Sequence, residues 1–412
     1  MEDIINKSKY RLLKAYFGHD NFKGGQEEVI DSIINGTDTL TVMPTGSGKS
    51  LCFQLPALMM SGITIVVSPL IALMYEQVSY LNEIGIRAVY INSSLEWTEI
   101  EEIFVNIASG MYKMIYVAPE RLIQEKFLSQ ITKVDISVLV VDEAHCISQW
   151  GNDFRPDYGK ITEFVDKLEN RPVIAAFTAT ATKPVREDII SSLQLRNCTE
   201  IIMGFDRKNL YFEVLNPLDK FIKLCDIIES NVSKPMIVYC LTRATVEDVY
   251  DRLTKKGILA SKYHAGMSPD ERKINQNDFQ SCITNIMIAT NAYGMGIDKP
   301  DIAVIVHYNM PKSIENYYQE AGRAGRNGCE SRCIILYSTS DIRLNSYLID
   351  KNSYNNVSRE KKNRIKKESY NRLSAINHYC MTSECLRKTL LNYFGEKSAD
   401  SCGKCSNCLK KF

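Results

Sequence analysis

Eight residues, Met43-Pro-Thr-Gly-Ser-Gly-Lys-Ser50, follow the apolar run Thr39–Met43 and precede a helical pattern. This segment constrains the fold more than any other in the chain. Glycines let successive backbone N–H groups close around phosphate oxygens, and a helix starting at the loop's end adds its positive dipole end. Strand, loop and helix in that order belong to an open parallel α/β sheet, whose ligands bind beyond the carboxyl ends of the strands. Thr45, Gly46, Ser47 and Gly48 would line the loop, Lys49 would reach the β- and γ-phosphates, and the Ser50 hydroxyl would ligate Mg²⁺. The strict pattern has Gly at position 43; Met43 departs from it, while the TGSGKS core is intact.

The remaining pattern agrees with such a sheet. Ile63–Ser68, Met114–Val117, Val138–Asp142 and Val173–Thr178 are short Val- and Ile-rich runs separated by helical patterns. Continuous apolar runs of this length read as strands covered on both faces. The pattern restarts near Leu210, with Met236–Tyr239, Ile286–Thr290, Ile302–His307 and Arg332–Tyr337. Two doubly wound α/β lobes are expected, residues 1–205 and 206–338, joined near Gly204–Lys208. After Ser338 the strands stop, and Tyr347–Tyr379 reads as a polar, basic helix leading into a Cys-rich end. Residues 339–412 form the third expected unit, a small helical module.

A length of 412 residues suits two or three domains. The net charge of +1 excludes a simple basic nucleic-acid binder. The charge is uneven, however: residues 351–412 hold 14 Lys and Arg against 5 Asp and Glu, a surplus that suits a polyanion and equally a solvated helix face. No apolar run reaches the roughly 18 residues of a membrane helix, and Met1–Arg11 lacks the apolar core of a signal peptide. The 13 cysteines are therefore read as residing in a reducing compartment, where clustered cysteines point to metal.

Val138-Leu-Val-Val-Asp-Glu-Ala-His145 ends another buried strand, so Asp142 and Glu143 emerge at its carboxyl edge. Asp142 can enter the Mg²⁺ shell and Glu143 can polarise an attacking water. An acidic pair after a strand is commonly a solvated end; with a phosphate loop upstream it indicates a nucleotide hydrolase. In the second lobe, Tyr318-Gln-Glu-Ala-Gly-Arg-Ala-Gly-Arg326 follows a helical pattern that starts near Ser313. Arg323 and Arg326, three apart, can face one way from a helical turn and neutralise charge on a transferring phosphoryl group. The alternative is a solvated surface turn.

Cys385, Cys402, Cys405 and Cys408 are spaced C-x16-C-x2-C-x2-C. Four thiolates suit tetrahedral Zn²⁺. Cys380 competes with Cys385 for the first position, and an iron–sulfur cluster also uses four cysteines. The other eight cysteines, among them Cys52, Cys240 and Cys333, are expected in the core.

Together these segments resemble the RecQ family of superfamily 2 helicases along nearly the whole chain. The series reads MPTGSGKS, SPLIALMYEQ, APERL, DEAHCISQWGNDFRP, FTATA, IVYCLTR, YHAGM, ATNAYGMGIDKPD and QEAGRAGRNG. DEAH occurs in RNA helicases too; DEAHCISQWGNDFRP is the more specific signature. The resemblance implies two RecA-like lobes and a zinc module, with ATP hydrolysis coupled to 3′-to-5′ movement on single-stranded DNA and duplex unwinding. Cys385 stands in ECLRKTLLNYFGE, which matches the family segment supplying the first zinc ligand. Longer members continue into a winged helix, so this chain reads as a short form ending after the module.

Phe17–Gln26 is similar to the family's adenine-recognition segment, with Gln26 able to donate to and accept from the base. His19 stands where the family has an aromatic ring and Lys23 where it has Arg, which implies looser adenine selectivity. Trp150, Phe154 and Arg155 lie in the aromatic loop, where bases stack at roughly 1–3 kcal/mol each; a plug at a lobe interface is the alternative. Ser68, Asn92 and Thr242 fit backbone-phosphate contacts in the family, and each alone resembles a helix cap. The expected cofactors are ATP, Mg²⁺ and Zn²⁺. The expected partners are single-stranded and duplex DNA, without a membrane, for a monomer in the cytoplasm (at the nucleoid if bacterial, in the nucleus if eukaryotic). The rival readings are an RNA helicase and a strand-annealing protein with a weak ATPase.

Overall fold

A computed structural model of the chain describes residues 2–92, 94–148, 155–294, 299–351 and 359–410. It divides into two compact units, Met1–Gly204 and Phe205–Phe412. In the first, β1 (Thr39–Val42), β2 (Ile63–Val67), β3 (Ala88–Ile91), β4 (Met114–Val117), β5 (Ile136–Val141), β6 (Val173–Thr178) and β7 (Thr199–Ile202) form one sheet. Their order is β3-β4-β2-β5-β6-β1-β7, and every pairing is parallel. In the second unit, β8 (Leu210–Leu215), β9 (Met236–Tyr239), β10 (Ser261–Tyr263), β11 (Ile286–Ala289), β12 (Val304–His307) and β13 (Ser331–Leu336) pair in the order β10-β11-β9-β12-β13-β8, again all parallel. The α/β class with two parallel sheets and a helical C-terminal region is therefore present.

Inner strands are buried along their whole length, as in Thr39–Val42 and Ile63–Val67, because helices cover both faces of a parallel sheet. Val66, Val138, Val140, Ala175 and Phe177 pack with Val29, Phe53 and Met74 in the first core. Val238, Ile288, Val306 and Ile334 centre the second. The hydroxyls of Thr39, Thr41 and Thr64 have no hydrogen-bond partner among the described residues, whereas the buried carboxylate at the foot of β1 is fully paired. Asp38, 3% exposed, closes the base of the sheet beside β1, β6 and β7. Its carboxylate accepts from Arg171 Nη1 at 3.1 Å and Nη2 at 2.6 Å, and from the backbone N–H groups of Ile174 at 2.9 Å and Arg196 at 2.7 Å.

After Thr339 only helices follow among the described residues: Thr339–Lys351, Arg359–Met381, Leu386–Tyr393 and Ser406–Leu409. The 23-residue Arg359–Met381 carries most of the basic surplus. No described helix is long and apolar enough to cross a membrane.

Replacing Asp38 by Ala takes the carboxylate from the half-buried Arg171 guanidinium, which keeps its bonds to Pro172 O and Gln194 O, and leaves the N–H groups of Ile174 and Arg196 unpaired. The first unit should lose about 2–4 kcal/mol, chiefly from the two orphaned N–H groups, read as a lower urea midpoint for that unit; an unchanged midpoint would refute the clamp.

Candidate nucleotide site and metal centre

β1 hands directly into the phosphate loop: Met43 N–H donates to Thr178 O at 2.9 Å, beside β6. Gly46 and Gly48 take φ of 81° and 83°, a region that side chains disfavour. At Gly48 a Cβ would also lie 2.5 Å from Gln26 Nε2. Thr45, Ser47, Lys49 and Ser50 are half-buried, and Gly46 is exposed. The helix Leu51–Met59 starts after Ser50, whose side chain makes no capping hydrogen bond.

Gln26 is 2% exposed and its amide is engaged within the unit. Its Oε1 accepts from Lys23 N–H at 2.8 Å, and its Nε2 donates to Ser47 O at 3.1 Å and Gly48 O at 3.2 Å. The amide thus grips the loop itself in this conformation. The side chains of His19 and Lys23 are exposed.

β5 delivers the acidic pair. Asp142 N–H donates to Val67 O at 2.9 Å, and Glu143 then turns to φ 48°, a left-handed conformation costing about 1–2 kcal/mol. Lys49 Nζ lies 3.4 Å from Asp142 Oδ1 and 3.5 Å from Glu143 Oε1, with side-chain exposures of 16% for Lys49 and 14% for each carboxylate. His145 Nδ1 stands 3.3 Å from Glu143 Oε2 and 2.9 Å from Thr178 Oγ1. Burial alone would push Glu143 up, but Lys49 and His145 hold it well below the usual carboxylate range. Burial wins at Asp142, whose pKa is raised despite Lys49. His145 is raised to about 10: burial opposes its charge, and Cys146 and Glu143 outweigh burial. His145 and Thr178 were not singled out from sequence as site residues; the signal lay in DEAH and FTATA, whose ends this parallel sheet juxtaposes.

Trp150 and Phe154 lie outside the described residues. Arg155 is held on the first unit: its N–H donates to Cys146 O at 2.8 Å and its Nη1 to Pro69 O at 2.9 Å. Tyr158, fully buried, donates its hydroxyl to Asp142 O at 2.9 Å. Ser68 and Asn92 are each 1% exposed. Ser68 Oγ and Asn92 Nδ2 have no hydrogen-bond partner among the described residues, while Asn92 Oδ1 accepts from Ser94. Thr242 caps the helix Arg243–Lys255, accepting from Thr245 N–H at 3.1 Å.

In the second unit the helix Ile314–Ala321 is capped by Ser313. It stops before the arginines, because Gly322 begins a run of turns. Arg323 and Arg326 therefore project from turns rather than from a helix. Arg323 is 6% exposed, so a solvated surface turn does not describe it; Arg326 is half-buried.

The cysteines converge as their spacing predicts. The Sγ atoms of Cys385, Cys402, Cys405 and Cys408 all lie within 4.8 Å of one another, with Cys385 to Cys405 at 3.9 Å and Cys402 to Cys408 at 4.0 Å. A tetrahedron with Zn–S near 2.3 Å has edges of about 3.8 Å, so the donor set fits zinc. Cys380 is buried in the helix Arg359–Met381, outside the cluster, and burial pushes its thiol up. Cys282 and Cys329 are exposed and Cys198 is half-buried, so the expectation that the remaining cysteines are all core fails for these three; two follow helix ends or turns instead of sitting within strands. Cys402→Ser should yield metal-poor, unstable protein, since structural zinc contributes an apparent 10–16 kcal/mol, roughly, in small modules. Cys380→Ser should retain one zinc per chain by elemental analysis, and the opposite dependence would name Cys380 a ligand.

Three family models match the chain: DEAD/DEAH box helicase over residues 23–188, helicase conserved C-terminal domain over 219–328, and RecQ zinc-binding over 339–409. The chain is 42% identical over 398 residues to the Bacillus subtilis (strain 168) "ATP-dependent DNA helicase RecQ", covering 96% of this chain and 66% of that protein. It is 39% identical to the Acanthamoeba polyphaga mimivirus "Putative ATP-dependent RNA helicase R290", covering 98% and 72%. The chain thus spans just under two thirds of the bacterial relative's length. Among solved structures, the Mycobacterium smegmatis helicase Lhr bound to ssDNA and AMP-PNP matches with a TM-score of 0.63 at 19% identity, covering 82% of this chain and 49% of that one; at that identity the likeness speaks for the fold. The zinc-binding match covers all four clustered cysteines, and the two helicase matches cover Lys49, Asp142, Glu143, Arg323 and Arg326: the chain belongs to the RecQ family of helicases.

Proposed function

We propose that this protein is an ATP- and Mg²⁺-dependent DNA helicase that translocates 3′-to-5′ on single-stranded DNA and unwinds duplex. The observation that carries the reading is the buried Lys49–Asp142–Glu143 cluster at the carboxyl edge of a parallel sheet, beside a glycine loop. The loop Thr45–Ser50 binds the phosphates, with Lys49 on the β- and γ-phosphates. Ser50 and Asp142 hold Mg²⁺; the fit rests on hard oxygen donors and on a buried carboxylate whose raised proton affinity a cation would relieve. Magnesium would supply charge neutralisation on the phosphates. Glu143, kept ionised by Lys49 and His145, orients the attacking water. Arg323 and Arg326 are the phosphate-facing cations of the second lobe, and His19, Lys23 and Gln26 meet the adenine.

DNA contacts are assigned to Ser68, Asn92, Trp150, Phe154, Arg155 and Thr242. Ser68 Oγ and Asn92 Nδ2, without a partner among the described residues, are donors suited to phosphate. Arg155 and Tyr158 connect the aromatic loop to Pro69 and to the Asp142 backbone, so DNA occupancy can bear on hydrolysis. The functional division is 1–205, 206–338 and 339–412, and the protein acts as a monomer in the cytoplasm, at the nucleoid of a bacterium or in the nucleus of a eukaryote. An RNA helicase is the second reading, favoured by the name of the viral relative; greater ATPase stimulation by RNA than by DNA would decide for it.

Lys49→Ala and Glu143→Gln should both abolish DNA-stimulated ATPase, and Glu143→Gln should still bind ATP. With ATP, the unmodified protein should displace strands from 3′-tailed and not from 5′-tailed duplexes; turnover in either variant, or the reverse polarity, counts against the assignment. Arg155→Ala should keep DNA affinity within about two orders of magnitude, given a cost of roughly 1–3 kcal/mol per contact, yet lose most ATPase stimulation. Full stimulation in a well-folded Arg155→Ala protein would remove the coupling role from that loop.

A further inference from the structure

The arginine-bearing turn is held by a guanidinium that the proposed chemistry does not use. Where the helix Ile314–Ala321 ends, the following carbonyls have lost their helical partners. Arg207 takes three of them: its Nη1 donates to Gly322 O at 3.2 Å, and its Nη2 to Ala324 O at 3.0 Å and Gly325 O at 2.9 Å. Asn209 Nδ2, two residues on, donates to Gly325 O at 2.9 Å and Cys329 O at 2.8 Å. Gly325, at φ 56°, is packed so closely that a Cβ would lie 2.4 Å from Asn209 Nδ2. Residues 207–209 therefore shape the segment that carries Arg323 and Arg326.

Residues 206–210 are in turn held from the cysteine module. Arg387 stands in the first turn of the helix Leu386–Tyr393, which the ligand Cys385 precedes. Arg387 Nη1 donates to Arg207 O at 2.8 Å and pairs with Asp206, and Nη2 donates to Leu210 O. The same guanidinium lies 5.3 Å from the ring centre of Phe212, and Phe212 forms a parallel bridge with the ligand Cys405. A second contact closes the network. Phe205 stacks on Phe394 at 4.5 Å, and both meet Tyr318, whose hydroxyl donates to Phe205 O at 2.8 Å. Tyr318 lies five residues before Arg323.

We propose that Arg207 and Arg387 are positioning residues for phosphoryl transfer: Arg387 fixes residues 206–210 to the cysteine module, and Arg207 shapes the turn that presents Arg323 and Arg326. The proposal rests on the reading of those two arginines as phosphate-facing. The zinc module then serves hydrolysis as well as stability, because the geometry of its helix is passed to the turn through two guanidinium groups. Only Arg fits position 207, since a planar fork with five donors can bridge three carbonyls and an ammonium cannot hold that plane.

The test uses the whole chain with zinc bound, with Arg207→Lys and Arg387→Lys compared to the unmodified protein. Arg207→Lys should lower kcat of DNA-stimulated ATPase by about 10²-fold, the cost of roughly 1 Å of misplacement, with KM for ATP, DNA affinity, zinc content and melting temperature unchanged. Hydrogen exchange gives a second readout that needs no turnover. Amides of Gly325, bonded to Ile302 O at 2.9 Å, and Gly328, bonded to Gly325 O at 3.0 Å, should lose protection in both variants while those of β9 and β12 keep theirs. Unchanged kcat in Arg207→Lys, unchanged protection of the turn, or a fall in kcat matched by loss of zinc and melting temperature would each overturn the proposal. If the unmodified protein shows no DNA-stimulated turnover, the nucleotide reading fails separately, and the exchange measurement still decides whether Arg207 and Arg387 hold the turn.

Discussion

Lys49 shares one positive charge between two carboxylates that are mostly withdrawn from water. Burying three such groups is unfavourable unless their attraction and hydrogen bonds offset the lost hydration. The two carboxylates divide the available cations unequally. Glu143 has Lys49 and His145 and stays ionised, whereas Asp142 has mainly Lys49 and binds its proton more tightly. This polarity rests on the sheet. β6 lies between β1 and β5, so parallel pairing brings the phosphate loop, Thr178 and the acidic pair to one edge.

The inner strands were legible because a strand covered on both faces is apolar throughout; Met114–Val117, Val173–Thr178 and Met236–Tyr239 match the reading to the residue. Four strands were not read, and all are at or near a sheet edge or carry mixed residues. Ala88–Ile91, Thr199–Ile202 and Ser261–Tyr263 are edge strands of three or four residues with partly exposed side chains. Leu210–Leu215 alternates in burial at its start, so only the restart of the pattern near Leu210 was visible.

The convergence of candidate site residues was legible where they stand in short motifs, as at Lys49, Asp142–Glu143 and the Cys-x2-Cys-x2-Cys run. It was not legible where one residue serves another across the fold. Gln26 is one case: local spacing does not announce that its amide grips the carbonyls of Ser47 and Gly48. Arg207, in what read as a connector between lobes, contacts a turn more than a hundred residues away. Nothing in local spacing announces such a partner, because the contact exists only once β8 lies beside β13.

β8 is the outermost strand of its sheet, and its free side is met by the chain around Cys405, which bridges Phe212. An uncovered strand edge is a template for pairing with other molecules. The segment that carries Cys405 thus covers part of that edge at Phe212, so the clustered cysteines sit where they shield a strand as well as gather four thiols.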